Sequence, residues 1–543
     1  MQDAGPSTAR YRLLDSISDT AATSSSTTSP PWARLSRTLF GRIASSWRRS
    51  WMVALGALTL FVMSAWHAPA VGKSALTPPA NLALNTNSAP YQHMLARVLR
   101  HPRPQVTLRS QFADDVQYIT TMYFGGQANQ ALAAINLLYI AKHTGRVAIL
   151  PQFTAFMFGN LKERADFMFD LARFYDSTGI IAVPLPAFKW QKSVLHRPLP
   201  ETMPCWSTME LKTGSSNFHP PTSPEENGLV DHRIETTFWA CPKLPFTDDN
   251  YVLKLSGVID FVLNTTAQQQ AIERAQTELL PQKWLPDDVD TSGVDPATNI
   301  KQTFDPLDPF PPTVDDQLVC LDATYFMGEN PPPPPHPQGL PLDTWRTDAW
   351  KEVGQYLHYN RHVENLAEDY LRAILRVSRN DKLPPFITMH IRRRDFHNFK
   401  GYTYAPLSHY EDALAQVRTK IEELLDLPAD HRDPDGRPKI AKFNVPVSEY
   451  KVIVATDEDP TSPFMQELTD LGWFVIDHNV FRTTKRYGLW FPSLIDAEIL
   501  SRGQGFVGTS WSTYSLLAGQ RVEFWQGGAQ VIAKPGEKPA ANN

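Results

Sequence analysis

Cysteine is scarce: the 543 residues hold three, Cys205, Cys241 and Cys320, at spacings that match no zinc-binding pair. That excludes a disulfide scaffold. One internal bridge is possible and would leave one thiol over, but spacing alone does not say which two residues pair. An excess of positive charge is missing too. The formal net charge is −5, and no nucleic-acid recognition fold or basic arm offsets it, so no nucleic-acid partner is expected. What the chain does have is length, proline and enough apolar side chains for buried cores. Its 543 residues are 42% hydrophobic and include 46 prolines. That length exceeds one compact core, so two large lobes with appendages are expected. The prolines gather in particular segments, which read as linkers.

Residues 1 to about 33 are rich in Ser, Thr, Ala and Pro, a composition that stays disordered. Arg34, Arg37, Arg42, Arg48 and Arg49 then precede an uncharged run from Ser50 to Gly72, most apolar between Trp51 and Trp66. A bilayer span needs about 20 such residues, and the two tryptophans stand where interface anchors belong. With the arginines on one side and only Lys73 close on the other, the amino terminus is expected to stay cytoplasmic. The competing reading is a cleaved signal peptide, against which stand the long polar region ahead and the length of the run. The expected order is a disordered cytoplasmic tail over 1–49, a transmembrane signal anchor in the lipid bilayer over 50–72, and a stem over 73–110. The rest would lie in the secretory lumen, where Asn264-Thr265-Thr266 is a glycosylation triplet.

The first lobe, 111–350, opens on a strand-helix-strand pattern. Tyr118 to Phe124 is β-branched and aromatic, Gly125-Gly126 turns the chain, Ala131, Leu132, Ile135, Leu138 and Tyr139 recur at helical spacing, and Val147–Leu150 resumes as a strand. Gly145 is placed to end the helix. The glycine pair either lets a ligand approach the backbone, with Asn129 and Gln130 adding polar groups, or is a plain tight turn. A Pro-rich insertion is read over about 186–341. Within it Asp288-Val289-Asp290 has the form of a metal-holding carboxylate pair, but no strand precedes it. It is taken as surface acid, and no metal site is expected.

The second lobe, 351–543, alternates more regularly. After an amphipathic helix carrying Val363, Leu366, Ala367, Tyr370 and Leu371, the strand around Phe386–Met389 runs into His390, Arg392, Arg393, Arg394 and Asp395. Further strands are read at Tyr450–Ala455, Trp473–Ile476, Gly505–Gly508 and Arg521–Phe524, with helices between them. This is a doubly wound α/β pattern whose ligand belongs at the carboxyl ends of the strands. Three loops converge there, bringing Arg392 and Arg393, then Asp457, then Ser510, Ser512 and Thr513 at a helix start. Guanidiniums and helix-tip hydroxyls together suit a phosphate or diphosphate. Taken singly, Ser512 is equally a helix cap and Asp457 a partner for the arginines.

Four motifs in this order resemble the protein O-fucosyltransferase family and its α1,2- and α1,6-fucosyltransferase relatives. They are Gly125-Gly126-Gln127-Ala128-Asn129-Gln130, His390-Ile391-Arg392-Arg393-Arg394-Asp395-Phe396, Ala455-Thr456-Asp457 and Ser512-Thr513-Tyr514-Ser515. The likeness covers roughly 112–160 and 350–525, and Tyr514 stands where the family has phenylalanine. The resemblance implies a GT-B architecture, two facing Rossmann-like lobes, and metal-independent, inverting transfer of fucose from GDP-fucose to a protein or glycan acceptor. No cofactor is implied. A type II anchor is similar to the family's Golgi members, which implies a Golgi membrane location. By the same resemblance Arg392 is the principal catalytic donor to the leaving diphosphate, with Ser512 and Thr513 completing the grip. Asp496 would read the guanine edge, and Asn129 would contact the sugar nucleotide from the first lobe. Gly125, Gly126, His390, Arg393, Asp395, Asp457 and Tyr514 complete the expected substrate contacts. Some relatives carry a glutamate after the first glycine, where this chain has Gly126-Gln127, so no general base is evident. Two alternatives stay open: the same fold with another nucleotide sugar, and a catalytically silent sugar-nucleotide-binding membrane protein.

Overall fold

A computed structural model describes residues 88–123, 125–155, 161–207, 229–240, 253–274, 315, 317–322, 324–328, 348–396, 404–428 and 430–536. The expected tail and anchor lie outside these residues, as do Cys241, Asp288-Val289-Asp290 and the proline run at 331–335. Among the described residues no helix is long and apolar enough to cross a membrane.

Helix α1 (Ala89–Val98) falls within the segment expected as stem. The Ser88 hydroxyl caps it at the Tyr91 amide, and Pro90 sits in its first turn. Tyr91, Met94 and Val98 bury one stripe, and Tyr91 Oη donates to Ala182 O at 3.0 Å. That stripe has a surface to cover, so 88–110 belongs to the first lobe rather than to a stem.

The first sheet contains β1 (Tyr118–Thr121), β2 (Val147–Leu150), β3 (Ala182–Pro184), β4 (Glu201–Ser207), β5 (Ile234–Ala240) and β6 (Leu318–Leu321). Its spatial order is β3-β2-β1-β6-β4-β5, and every pairing is parallel. Helix α2 (Gln127–Thr144) makes the β1–β2 crossover and ends at Gly145 in the left-handed conformation, φ 67°, as its sequence predicts. Helix α3 (Leu171–Thr178) makes the next crossover, again stopped by a glycine, Gly179. Strands β4, β5 and β6 correct the reading of 186–341 as an insertion, because half of the sheet comes from it. β4 escapes a sequence reading because Pro204 falls in mid-strand, a position that normally argues against one. Cys205 of β4 is bonded to Cys320 of β6.

In the second lobe α4 (Arg361–Leu375) is capped by the Asn360 side chain and buries the predicted stripe of Val363, Leu366, Ala367, Tyr370 and Leu371. There follow β7 (Phe386–Ile391), α5 (Leu407–Leu425), β8 (Lys451–Thr456), α6 (Pro463–Asp470), β9 (Phe474–Val475), α7 (Phe491–Leu500), β10 (Gly505–Thr509), α8 (Thr513–Gln526) and β11 (Ala529–Ala533). The spatial order β9-β8-β7-β10-β11 is fully parallel. The strand read at Arg521–Phe524 is instead the end of α8, and the last strand follows Gly527. The cause is burial: residues 515–524 of α8 are all enclosed, so no polar face marks the helical period. Numbered within the lobe, the order is 3-2-1-4-5, so the winding reverses between β7 and β10. A crevice opens at the carboxyl ends of strands flanking such a reversal.

Candidate active site

The two strands at that reversal are tied together by one hydroxyl. Thr509, last residue of β10, accepts the Arg392 amide at 2.9 Å on Oγ1, donates to His390 O at 2.8 Å, and meets Tyr410 Oη at 2.9 Å. Arg392 therefore leaves β7 at a set angle on the rim. Asp457, just past β8, completes the seat: Oδ1 accepts the Arg393 amide at 2.7 Å and Oδ2 lies 3.1 Å from Arg392 Nη1. So the loops after β7, β8 and β10, expected to converge, do meet.

Neighbouring arginines have different fates. The Arg393 guanidinium pairs with Glu458 and lies over two rings, 3.9 Å from the Phe464 centroid and 4.3 Å from that of Tyr404. These four groups line a hollow with Ser462 and Glu467. Arg392 keeps a 28% exposed side chain on the rim, and Arg394 is exposed. Asp395 lies in the short turn Arg394–Phe396, and its side chain falls outside the described ones.

His390 faces inward. Ser515 Oγ accepts the Thr509 amide at 2.9 Å and so offers its proton to His390 Nδ1, 2.8 Å away. Burial, with a contribution from the Arg392 charge, pushes the imidazole pKa down to about 3. The ring is therefore neutral, with Nδ1 as acceptor. Next to it, at 4.9 Å between ring centres, lies Tyr514, whose hydroxyl donates to Ser493 O. Ser512 is the α8 cap, accepting the Ser515 amide at 3.4 Å; capping is the role its position in the fold displays. The preceding Trp511 takes a left-handed φ of 65°, rare for a bulky residue, and turns the chain sharply into α8.

The first lobe meets this rim through the start of α2. Thr513 Oγ1 donates to Asn129 Oδ1 at 2.6 Å, and Ser493 Oγ donates to Gln127 Oε1 at 2.7 Å. Gly125 has φ 71°, and a Cβ there would stand 2.3 Å from Asn129 Nδ2, so the amide occupies the space a side chain would need. Gln130 clamps the turn, donating to Gly125 O and Thr154 O, both at 2.7 Å, and accepting the Thr154 amide at 2.9 Å. Gly126 caps α2 in an extended conformation with open space around its Cβ position. Asp496, one turn beyond Ser493 on α7, receives His478 Nε2 at 2.8 Å. Arg392 and Asp457 thus lie together beyond β7 and β8, and Thr513 lies against Asn129 beside Gly125, while His390 and Arg393 are committed to internal partners.

Several residues of the neighbourhood carry no sequence signal. Arg521, 1% exposed, donates to Tyr359 Oη at 2.6 Å, and its charge lies over the Tyr359 and Trp525 rings. It lines a narrow cavity between the lobes with Gln127, Phe169, Tyr359 and Tyr514. Glu163 stands opposite Phe153 in the antiparallel pair Phe153–Ala155 and Leu161–Glu163, which Gln130 ties to the Gly125 turn. Burial raises its carboxyl to about 7 against the pull of Arg164. A carboxyl raised on folding stabilises the fold when protonated, and that contribution is lost as pH climbs from the ordinary carboxylate range through 7. Glu163→Gln is therefore expected to leave stability unchanged at pH 4 and to raise it by about 2 kcal/mol at pH 8, allowing for partial exposure. Denaturant titration at both values checks this, and equal effects at the two would refute it.

Together these features define a two-lobed α/β protein with an anion-suited rim at the reversal of its second sheet. Solved structures to which the chain is similar include POFUT1 in complex with GDP-fucose, at 14% identity over 78% of this chain and 98% of that one, with a TM-score of 0.42. Fucosyltransferase NodZ from Bradyrhizobium is similar at 12% identity over 74% and 92% of the two chains, TM-score 0.29. A variant of Arabidopsis thaliana FUT1 in complex with GDP is similar at 12% identity over 82% and 74%, TM-score 0.30. No family model matches the chain, and no curated protein matches it.

Proposed function

We propose that this protein is an inverting, metal-independent GT-B glycosyltransferase that moves fucose from GDP-fucose to a protein hydroxyl or a glycan. The observation that carries the reading is the seating of Arg392 on Thr509 at the β7/β10 reversal, with Thr513, at the tip of the helix that follows β10, hydrogen-bonded to Asn129 of the other lobe. In such a transfer the C1–O bond breaks with its electron pair going to the β-phosphate oxygen of GDP. The acceptor oxygen bonds to C1 from the opposite face and its proton passes to water. Negative charge builds on the diphosphate, so fixed donors aimed at it lower the barrier. Arg392 supplies a guanidinium already oriented by Asp457. Thr513 opens α8, whose positive end favours an anion, while its own hydroxyl proton is given to Asn129. Asn129 closes the rim from the opposing lobe. Anchoring in the Golgi membrane through 50–72, with the lobes in the lumen, belongs to the same proposal.

Turnover by the detergent-solubilised full-length chain tests it. GDP release from GDP-fucose supports the reading. Release from other nucleotide sugars only would make it the same fold with another donor, and binding without release a silent binder. Activity is expected to persist in excess chelator, and a strict requirement for added manganese would count against the metal-free mechanism.

A further inference from the structure

Arg521 carries a positive charge into the interior between the lobes with no negative charge paired to it. The residue is 1% exposed, and no carboxylate forms an ion pair with it among the described residues. Nearby Glu498 is taken by Arg502, whose Nε lies 2.6 Å away, and Glu523 faces Arg437. The Tyr359 and Trp525 rings lie against the guanidinium. They ease its burial without neutralising it. Helical spacing sets where it points: Tyr514, Ala518 and Arg521 recur on one stripe of α8, and that stripe shares a narrow cavity with Gln127 and Ala131 of α2.

The cavity is rich in donors and poor in acceptors. Arg521 Nε is buried with no partner among the described residues. Tyr359 Oη accepts Arg521 Nη1 at 2.6 Å, and its own proton has no acceptor among the described residues. The Tyr359 ring is held in place by stacking on Phe169, 5.5 Å between centres. Gln127 accepts Ser493 on Oε1, and its Nε2 has no acceptor among the described residues.

We infer that this cavity is a binding site for one monatomic anion, chloride, held by Arg521 with Tyr359 and Gln127. Water suits the space but not the chemistry. It accepts at most two hydrogen bonds and brings two protons of its own, for which the Ala131 and Ala518 walls offer no acceptor. An anion accepts from every donor and cancels the buried charge. Size excludes larger anions: the free volume is about 10 Å³, room for one water-sized particle. Phosphate, sulfate and the diphosphate of a nucleotide sugar do not fit. Gln127 belongs to α2 and Arg521 to α8, so the ion would join the two lobes behind the Thr513–Asn129 contact. The inference goes beyond the donor reading and does not depend on it.

The test is the thermal midpoint of the full-length chain in sodium chloride, sodium bromide and sodium gluconate at equal ionic strength. Gluconate is too large for the cavity. Chloride and bromide should each raise the wild-type midpoint above the gluconate value by about 2 °C, with saturation as the halide is increased. General salt effects act the other way, since weakly excluded bromide should stabilise least. Arg521→Met removes the charge and its donors, and Ala518→Val puts methyl groups in the space while leaving Arg521 in place. Both should lose the halide increment. Crystals grown in bromide should show an anomalous peak within hydrogen-bond distance of Arg521 Nε. A wild-type midpoint no higher in halide than in gluconate overturns the inference. So does an increment that survives in Ala518→Val, or a cavity that holds only water in bromide. GDP titration in the same salts keeps the two readings apart: a halide increment without GDP binding sinks the donor reading alone, and GDP binding without a halide increment sinks this one alone.

Discussion

Arg392→Ala is expected to lower the rate of GDP release by about 10² to 10³-fold, the usual consequence of removing one fixed donor from developing negative charge. The magnitude follows from how little of the Arg392 geometry is left free. Its amide is fixed by Thr509, its guanidinium is oriented by Asp457 at 3.1 Å, and its side chain remains 28% exposed on the rim. Nothing must reorganise when the diphosphate begins to leave, which is what makes a donor effective in the transition state. The adjacent arginine is the internal control. Arg393 is enclosed by Glu458, Phe464 and Tyr404, so Arg393→Ala should affect stability more than chemistry. Arg392→Lys retains the charge without the planar fork and should recover part of the rate. Single-turnover measurements with GDP-fucose separate the chemical step from release. If Arg392→Ala and Arg393→Ala lose equally little, the assignment of Arg392 is wrong.

The parts of this site legible in the sequence are those where an apolar strand runs abruptly into polar residues. Met389 to Arg392, Ala455 to Asp457 and Gly508 to Ser512 each make that change, and all three lie at the same edge of the second sheet. Left-handed stops were legible too, because Gly145 has no side-chain strain to relieve. Segments enclosed on every side were not. α8 buries residues 515–524 continuously and so lost its period, and β4 reads as polar because Pro204 and Glu201 sit within it. Contacts between lobes leave no local trace at all. Asn129 and Thr513 are 384 residues apart, Gln127 and Ser493 366 apart. Nothing near Asn129 indicates that its partner would be a threonine at the tip of α8. The motif order could place these residues on facing lobes. Only the fold shows that they touch.

Replacing Cys205 and Cys320 together by alanine is expected to destabilise the first lobe by about 5 kcal/mol, the loop-entropy figure for a closed loop of this size. The bond spans 115 residues of chain, and the fold gives a second reason to expect a large effect. Four of the five strand pairings in the first sheet run over three or more register positions, but β4 meets β6 at Trp206 and Leu321 alone. The β4–β5 pair is therefore attached to the rest of the sheet by a short seam, and the bond lies beside it. Both sulfurs belong to residues exposed by 1% or less. Alanine avoids burying the unpaired hydroxyls that serine would introduce. The consequence should be local before it is global. Amides of 201–207 and 234–240 should exchange faster with solvent, while those of β7, β8 and β10 keep their protection. GDP binding should then survive conditions that loosen β4, because Arg392, Thr509 and Thr513 belong to the other sheet and Asn129 to the intact β1–α2 turn. Chemical denaturation with hydrogen exchange, comparing the wild type with and without reductant against the double variant, measures both effects. An unchanged denaturation midpoint, or exchange rising equally in both sheets, would show that the seam holds without its covalent bond.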